Sequence, residues 1–224
     1  MTFDVVIPTT GRASLARLLE ALLRDGGPPP RRVIVVDDRP ERSARSARNQ
    51  AALPLGPAAG DPRVTVLRGD GRGPAAARNR GWRAAEADWV SFLDDDVEPP
   101  PGWRAALVAD LVAVGERVAG SQGRIVVPLP RGRRPTDWER NTAALERARW
   151  ATADMAYRRA ALAAVGGFDE RFRRAYREDA DLGLRLRRAG WEIAPGRRHV
   201  VHPVRPADRW VSLRLQAGNA DDVL

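Results

Sequence analysis

Trp89-Val90-Ser91-Phe92-Leu93-Asp94-Asp95-Asp96-Val97-Glu98-Pro99 is the stretch whose reading decides the fold. A short apolar run passes without a linker into three consecutive aspartates, and Pro99 to Pro101 forbid a regular continuation. Apolar runs of four to eight residues bounded by such punctuation read as buried strands. The carboxylates then stand at the carboxyl end of a central strand, the end at which open α/β sheets bind ligands. Three adjacent carboxylates repel one another, so a cation or a positively charged partner is expected beside them. Hard oxygen ligands of this kind suit Mg²⁺ or Mn²⁺ held together with substrate phosphates. The competing reading is a solvated acidic turn, and the buried strand in front of the triplet argues against it.

The chain on either side repeats the pattern. Phe3 to Pro8 reads as a first buried strand, and Thr9, Thr10 and Gly11 as a turn with N-cap candidates. Leu15, Leu18, Leu19, Leu22 and Leu23 then follow helical spacing. Val33 to Val36 is a second all-apolar strand that runs into Asp37-Asp38. Strand, helix, strand with buried strands is a βαβ unit, which makes the sheet parallel here. Glu41 to Ala51 predicts a helix, Val64 to Leu67 a third strand, Ala75 to about Ala87 a helix opened by Pro74, and Trp103 to about Val114 another. A further strand is expected at Arg124 to Val127. Past Pro128 the periodicity weakens. Pro128 to Pro135 reads as a mobile loop, Trp138 to Arg149 as helical, Gly166-Gly167 as a turn, and Glu178 to Ala189 as a helix stopped by Gly190. Two halves of one domain fit better than two domains.

Asp37-Asp38 and Asp94 to Asp96 end strands on the same edge, so both clusters face one site. One could read a base or ribose while the other holds a metal. Gly71-Arg72-Gly73-Pro74-Ala75-Ala76 formally fits a dinucleotide fingerprint. It follows the third strand instead of the first, and Pro74 removes a backbone donor, so this reading is set aside. Arg78 and Asn79 sit one turn into the following helix, where side chains reach a ligand at its N-terminal end, unless they belong to a solvated face. Glu178 and Asp179 open a helix, where the macrodipole favours carboxylates; a general base ionised at neutral pH is the functional reading. His199 and His202 are the only histidines, and either could join the carboxylates on a metal.

Composition bounds the alternatives. A chain of 224 residues with 43% hydrophobic content supports one sizeable α/β domain. No run of about 18 apolar residues predicts a membrane span. The N-terminus lacks a basic region before an apolar one, so no signal peptide is expected. Cysteine is absent, which excludes disulfides and thiolate metal sites and fits a reducing cytoplasm. The net charge of +9 invites a polyanion partner, but every one of the 38 basic residues is Arg, which looks like a compositional bias of a GC-rich genome. The acidic clusters would also repel a phosphate backbone, so no nucleic acid is expected. Arg205 to Gln216 mixes Trp210, Leu213 and Leu215 with three arginines and is expected either at a membrane surface or partner, or packed on its own domain.

Six stretches, in order, resemble the family 2 glycosyltransferases of GT-A fold: Val5 to Arg12, Val35 to Asp38, Gly73 to Gly81, Phe92 to Asp96, Val165 to Glu170 and Arg177 to Leu182. The resemblance implies a single Rossmann-like GT-A domain, a mostly parallel central sheet flanked by helices, with residues 1–96 as the nucleotide-sugar-binding half and 97–224 as the acceptor-binding half. It implies a nucleoside-diphosphate-sugar donor, usually UDP-linked, a divalent cation (Mn²⁺ or Mg²⁺), an acceptor hydroxyl and inversion at the anomeric carbon. Pro8, Asp38 and Arg78 would line the nucleoside site, with Thr9, Arg12, Asp94 and Asp95 in the same nucleotide-sugar-binding set. Asp94 and Asp96 would hold the metal with His202, His199 being the alternative. Asp179 would deprotonate the acceptor, with Glu178 as alternative base or acceptor contact. The corresponding place is cytoplasmic, with peripheral membrane contact as an option. A protein of the same fold that binds nucleotide sugars without turnover, and a basic nucleic-acid-binding protein, are the other readings.

Overall fold

The computed structural model describes residues 1–40, 52–207 and 210–211. The helix expected at Glu41 to Ala51 lies outside the described residues. The elements run β1 (Phe3–Thr9), α1 (Ser14–Arg24), β2 (Val33–Asp37), β3 (Val64–Arg68), α2 (Pro74–Ala84), β4 (Trp89–Leu93), α3 (Trp103–Ala113), β5 (Val118–Val126), α4 (Asp137–Ala143), β6 (Asp154–Arg158), α5 (Arg159–Val165), α6 (Glu178–Arg188) and β7 (Glu192–Val201). They form one α/β domain around a seven-stranded sheet of order β3-β2-β1-β4-β6-β5-β7. The β3-β2-β1-β4 ladders are parallel, β6 runs antiparallel to both neighbours, and β7 is parallel to β5.

Alternation along the strands splits the core in two. Val5 and Ile7 of β1 point to a layer with Leu15, Leu18, Leu19 and Leu22 of α1 and Leu107 and Leu111 of α3. Val6 points to the opposite layer, with Ala77 and Trp82 of α2 and Leu182 and Leu186 of α6. All four α1 leucines are fully buried, so each contributes about 1.5–3 kcal/mol of transfer free energy.

Four expectations need correction. Thr9 and Thr10 do not cap α1: its N-cap is Ala13, without a side-chain bond. Thr9 instead accepts from Gly11 N (2.9 Å) and shapes the turn. The helix expected over Trp138 to Arg149 is α4, opened by a Thr136/Glu139 capping box, followed by a 3₁₀ turn at Ala144–Arg147. Strand β5 begins six residues earlier than expected. Finally, the weakly periodic C-terminal part holds β6, α5 and β7. Strand β7 contains Pro195 and Gly196, and its register against β5 shifts beside them, between Gln122 and Arg124. An edge strand tolerates such residues where a central one does not.

These last strands reach the site through an isolated bridge. Glu98 and Val201 exchange backbone hydrogen bonds of 2.7 and 3.0 Å just beyond the aspartate triplet.

Candidate active site

The chain moves outward from β1 through β2 to β3, then returns to β4 on the other side of β1. The strand order reverses between β1 and β4, where open parallel sheets bind ligands. A cavity of about 430 Å³ opens there. It brings together Pro8, Thr9, Arg12, Asp38, Arg78, Asp94, Asp95, Asp96 and His202, every residue expected at the nucleotide and the metal.

The triplet divides its work. The chain turns at Asp94 (Val97 N to Asp94 O, 3.3 Å), and the three side chains go different ways. Asp95 is 1% exposed and accepts from Thr9 Oγ1 and from Arg12 Nη1, both at 2.5 Å. Burial pushes its carboxyl up, against the pull of Thr9 and Arg12. Asp94 accepts from Arg78 Nη2 at 2.9 Å. Asp96 lies 3.6 Å from His202 Nε2 and takes Arg205 Nε at 3.1 Å on its other oxygen.

Asp94, Asp96 and His202 each offer a donor atom, all within 4.8 Å of one another. Two carboxylate oxygens and an imidazole suit Mn²⁺ or Mg²⁺ in its usual oxygen-rich surroundings. His202 Nε2 faces Asp96 Oδ1 at 3.6 Å, beyond hydrogen-bond distance, so the ring nitrogen at the carboxylates is not committed to Asp96. His202 is the histidine at the triplet; His199 sits within β7, paired in register with Arg124. The residues present therefore fit a divalent cation.

The second acidic pair also splits. Asp37 is taken by Arg39 and Arg68, at 2.7 and 3.0 Å. Burial alone would raise its carboxyl, but these arginines bring it below the usual range. Asp38 lines the cavity. Burial pushes it up, opposed by the amides of Gly73, Gly71 and Arg72. The glycine turn thus spends its amides on the chain's own aspartate, with Gly73 N at 2.9 Å from Oδ2, and not on a pyrophosphate. Asp38 Oδ1 is buried without a partner among the described residues, an acceptor left for a base N–H or a hydroxyl.

On α2 the two neighbours part company. Arg78 is 3% exposed and its Nη1 lies 2.7 Å from Glu178. Asn79 was expected to reach a ligand, but it is fully buried and ties down the 168–170 turn instead. It donates to Phe168 O (2.8 Å) and Glu170 (2.9 Å) and accepts from Phe168 N (2.9 Å) and the Trp82 indole (2.8 Å).

Glu178 and Asp179 open α6 as expected, but both carboxyls are held above their ordinary values. Burial pushes Glu178 up to about 7, with Asp179's charge adding and Arg78 opposing. Burial raises Asp179 too, against Arg78 and the Ala180 amide. Desolvation outweighs the helix N-terminus that the sequence reading relied on. The two differ in access: Glu178 is buried and bound by Arg78, whereas Asp179 is half-buried and accepts only locally, from Ala180 N at 2.8 Å.

The family model for "Glycosyl transferase family 2" matches residues 4–181, most of the chain and all of these positions up to α6. This chain belongs to glycosyl transferase family 2.

The family 2 chain is 32% identical over 201 residues to the pre-mycofactocin glycosyltransferase of Mycobacterium tuberculosis, found in two strains, in an alignment covering 83% of this chain. It spans only 39% of that relative's length. Its fold is the GT-A fold. The mannosyltransferase PcManGT from Pyrobaculum calidifontis, solved with GDP-Man and Mn²⁺, superposes with a TM-score of 0.65 at 21% identity, over 99% of this chain and 64% of that one. S. aureus TarS (residues 1–349) with UDP-GlcNAc gives 0.63 at 17% identity, over 95% and 61%. GalNAc-T7 with UDP, GalNAc and Mn²⁺ gives 0.65 at 18%, over 92% and 44%.

Sequence reasoning missed Arg205 in this family 2 site. It placed Arg205 in a stretch expected either at a membrane surface or partner, or packed on its own domain. The structure packs it on the domain, between Asp96 and the Trp138 ring (6.0 Å), while Trp138 Nε1 donates to Arg205 O at 2.8 Å. Its one sequence signal was its nearness to His202. Residues 208–209 and 212–216 of that stretch lie outside the described residues. No helix among the described residues is long and apolar enough to cross a membrane.

Proposed function

We propose that this chain is a metal-dependent, inverting glycosyltransferase domain that moves a sugar from a nucleoside-diphosphate sugar, with UDP as the nucleotide, to an acceptor hydroxyl. One observation carries the reading: a carboxylate–carboxylate–imidazole cluster at the strand-order switch point is joined through buried Arg78 to a carboxylate pair on α6. The structures with UDP-GlcNAc and with UDP support uridine, and the one with GDP-Man makes guanosine the nucleotide to test beside it.

Pro8, Asp38 and Arg78 line the nucleoside end, where Asp38 Oδ1 accepts from the base or ribose. Thr9, Arg12 and Asp95 hold the end of β4 against β1 and so fix where Asp94 and Asp96 stand. Asp94, Asp96 and His202 would hold the divalent cation, which when bound supplies Lewis-acid neutralisation of the diphosphate leaving group. Arg205, already at Asp96, adds charge on the same side. Asp179 takes the acceptor's proton as its oxygen attacks the anomeric carbon and the bond to the diphosphate breaks on the opposite face. Glu178, buried against Arg78, orients that guanidinium. Residues 1–96 form the donor half and 97–224 the acceptor half, with His202 reaching back into the donor half.

A panel of UDP- and GDP-sugars, assayed with Mn²⁺ or Mg²⁺ for nucleotide release, tests this. Release that needs metal and disappears in Asp96→Ala supports it; no release with any donor and either metal would overturn it.

A further inference from the structure

A second cavity, of about 660 Å³, lies outside the donor site. We propose that it is the acceptor subsite, and that it takes a ring-bearing acceptor carrying an anionic group, a carboxylate or a phosphate. The assignment to an acceptor rests on the glycosyltransferase reading; the ligand chemistry rests on the cavity itself.

Its place follows from α6. Asp179, Gly183 and Arg187 are spaced by four and share one helix face. Asp179 opens that face at the donor side; Arg187 lines the cavity two turns on. Between them Trp150 lies flat against Gly183: a Cβ there would come within 2.3 Å of the indole. Trp150 has φ 65, a left-handed backbone that a bulky aromatic rarely adopts. Gln122 holds it there, accepting from Trp150 N at 2.6 Å and donating to Ala148 O at 2.8 Å. A strained aromatic pinned by a dedicated side chain at the edge of a cavity points to function.

The lining gives the chemistry. Trp150 and Trp191 offer ring faces suited to stacking on a sugar or aryl ring. Arg124, Arg149 and Arg187 come from three different segments and are all exposed to the cavity. Among the described residues none of the three forms an ion pair, whereas Arg185, one half-turn before Arg187 on the same helix, pairs with Asp181. Glu146 and Glu192 share the rim, but Glu146 is turned to the Val127 amide at 2.8 Å. Unpaired guanidinium forks match carboxylate or phosphate. The helix rise puts Arg187 about 12 Å from Asp179, which sets the separation between the reacting hydroxyl and the anionic group.

Titration calorimetry with phenyl β-glucoside, 4-carboxyphenyl β-glucoside and the 4-phosphate of 4-hydroxyphenyl β-glucoside tests this. The wild-type protein is compared with the triple variant Arg124→Gln, Arg149→Gln, Arg187→Gln, its fold checked by circular dichroism. At least one anionic probe is expected to bind the wild-type protein about tenfold or more tightly than the neutral one, the scale of a charge-assisted hydrogen bond. Which one it is distinguishes carboxylate from phosphate. The advantage is expected to vanish in the triple variant, while Trp191→Ala weakens all three probes alike. Equal binding of neutral and anionic probes, or an advantage that survives the triple substitution, would overturn the proposal. UDP titrations with Mn²⁺ on the wild-type protein run alongside; their failure would strike the reading of the donor cavity and not this one.

Discussion

Arg78 Nη1 lies 2.7 Å from Glu178 Oε1, and both side chains are 3% exposed, although the two residues stand a hundred positions apart. The same guanidinium reaches Asp94 through Nη2. One buried cation therefore links the strand that ends in Asp94 and Asp96 to the helix that carries the proposed base. Removing one member of a buried pair leaves the other uncompensated, at a cost of about 3–5 kcal/mol. Arg78→Met is expected to lower stability on that scale, read as a shift in urea midpoint. Arg78→Lys keeps the charge, loses the fork, and is expected to fall between the two.

The base is assigned by access. Asp179→Asn keeps the shape and removes the proton acceptor, so transfer is expected to fall by roughly 10²–10⁴-fold with donor affinity nearly unchanged. Glu178→Gln is expected to cost less. Steady-state rates with a competent donor and acceptor check the order; a reversed order makes Glu178 the base.

The raised carboxyls set a pH dependence of activity. The base acts only when ionised, and burial holds the Glu178/Asp179 pair protonated further into the neutral range than free carboxyls, Glu178 to about 7. Transfer is expected to decline as pH falls from 8 to 6, with an apparent midpoint belonging to the pair. A rate profile flat down to pH 5 would contradict this.

The same shift has a stability consequence of definite sign. A carboxyl whose pKa is higher in the folded than in the unfolded state stabilises the fold when protonated. That contribution is complete below the unfolded value near 4.5 and is lost as pH rises through about 7. Glu178→Gln carries no such titration. Relative to this variant the wild-type protein is expected to lose stability between pH 5 and pH 8, measured by urea midpoints at both.

Within the triplet, neighbours are expected to behave differently. Asp96→Ala and His202→Ala should abolish Mn²⁺-dependent binding of nucleoside diphosphate while the fold persists. Asp95→Ala should instead destabilise, because Thr9 and Arg12 lose their shared acceptor. Calorimetry and thermal melts on the three variants separate the roles.

The part of the fold legible in the sequence is the part built from local patterns. Strands β1, β2 and β4 are continuous apolar runs, and the α1 leucines keep helical spacing, so their burial followed from period alone. Strand β6 was not legible because it carries a fully buried aspartate, Asp154, whose partner Arg198 comes from β7 (2.7 Å). Strand β7 was not read as a strand because it carries Pro195 and Gly196, which are tolerated at a sheet edge. The site followed the same division. Motif order located Asp38, Asp94, Asp96 and Asp179, but the choice of His202 over His199 needed the Glu98–Val201 bridge. Asn79 was misread because three of its four hydrogen bonds go to a turn some ninety residues away. The upward shift of the Asp179 carboxyl was not legible because burial is a property of the packed whole and helix position is not.

The Glu98–Val201 bridge also has a consequence in time. Asp94 and Asp96 leave the ribosome roughly a hundred residues before His202 does, about 5–20 s at ordinary elongation rates. During that interval the growing chain carries two of the three residues proposed to hold the cation, without the third. The donor cleft is therefore expected to mature late, and capture of Mn²⁺ by ribosome-bound chains of increasing length should rise only once β7 has emerged and joined β5.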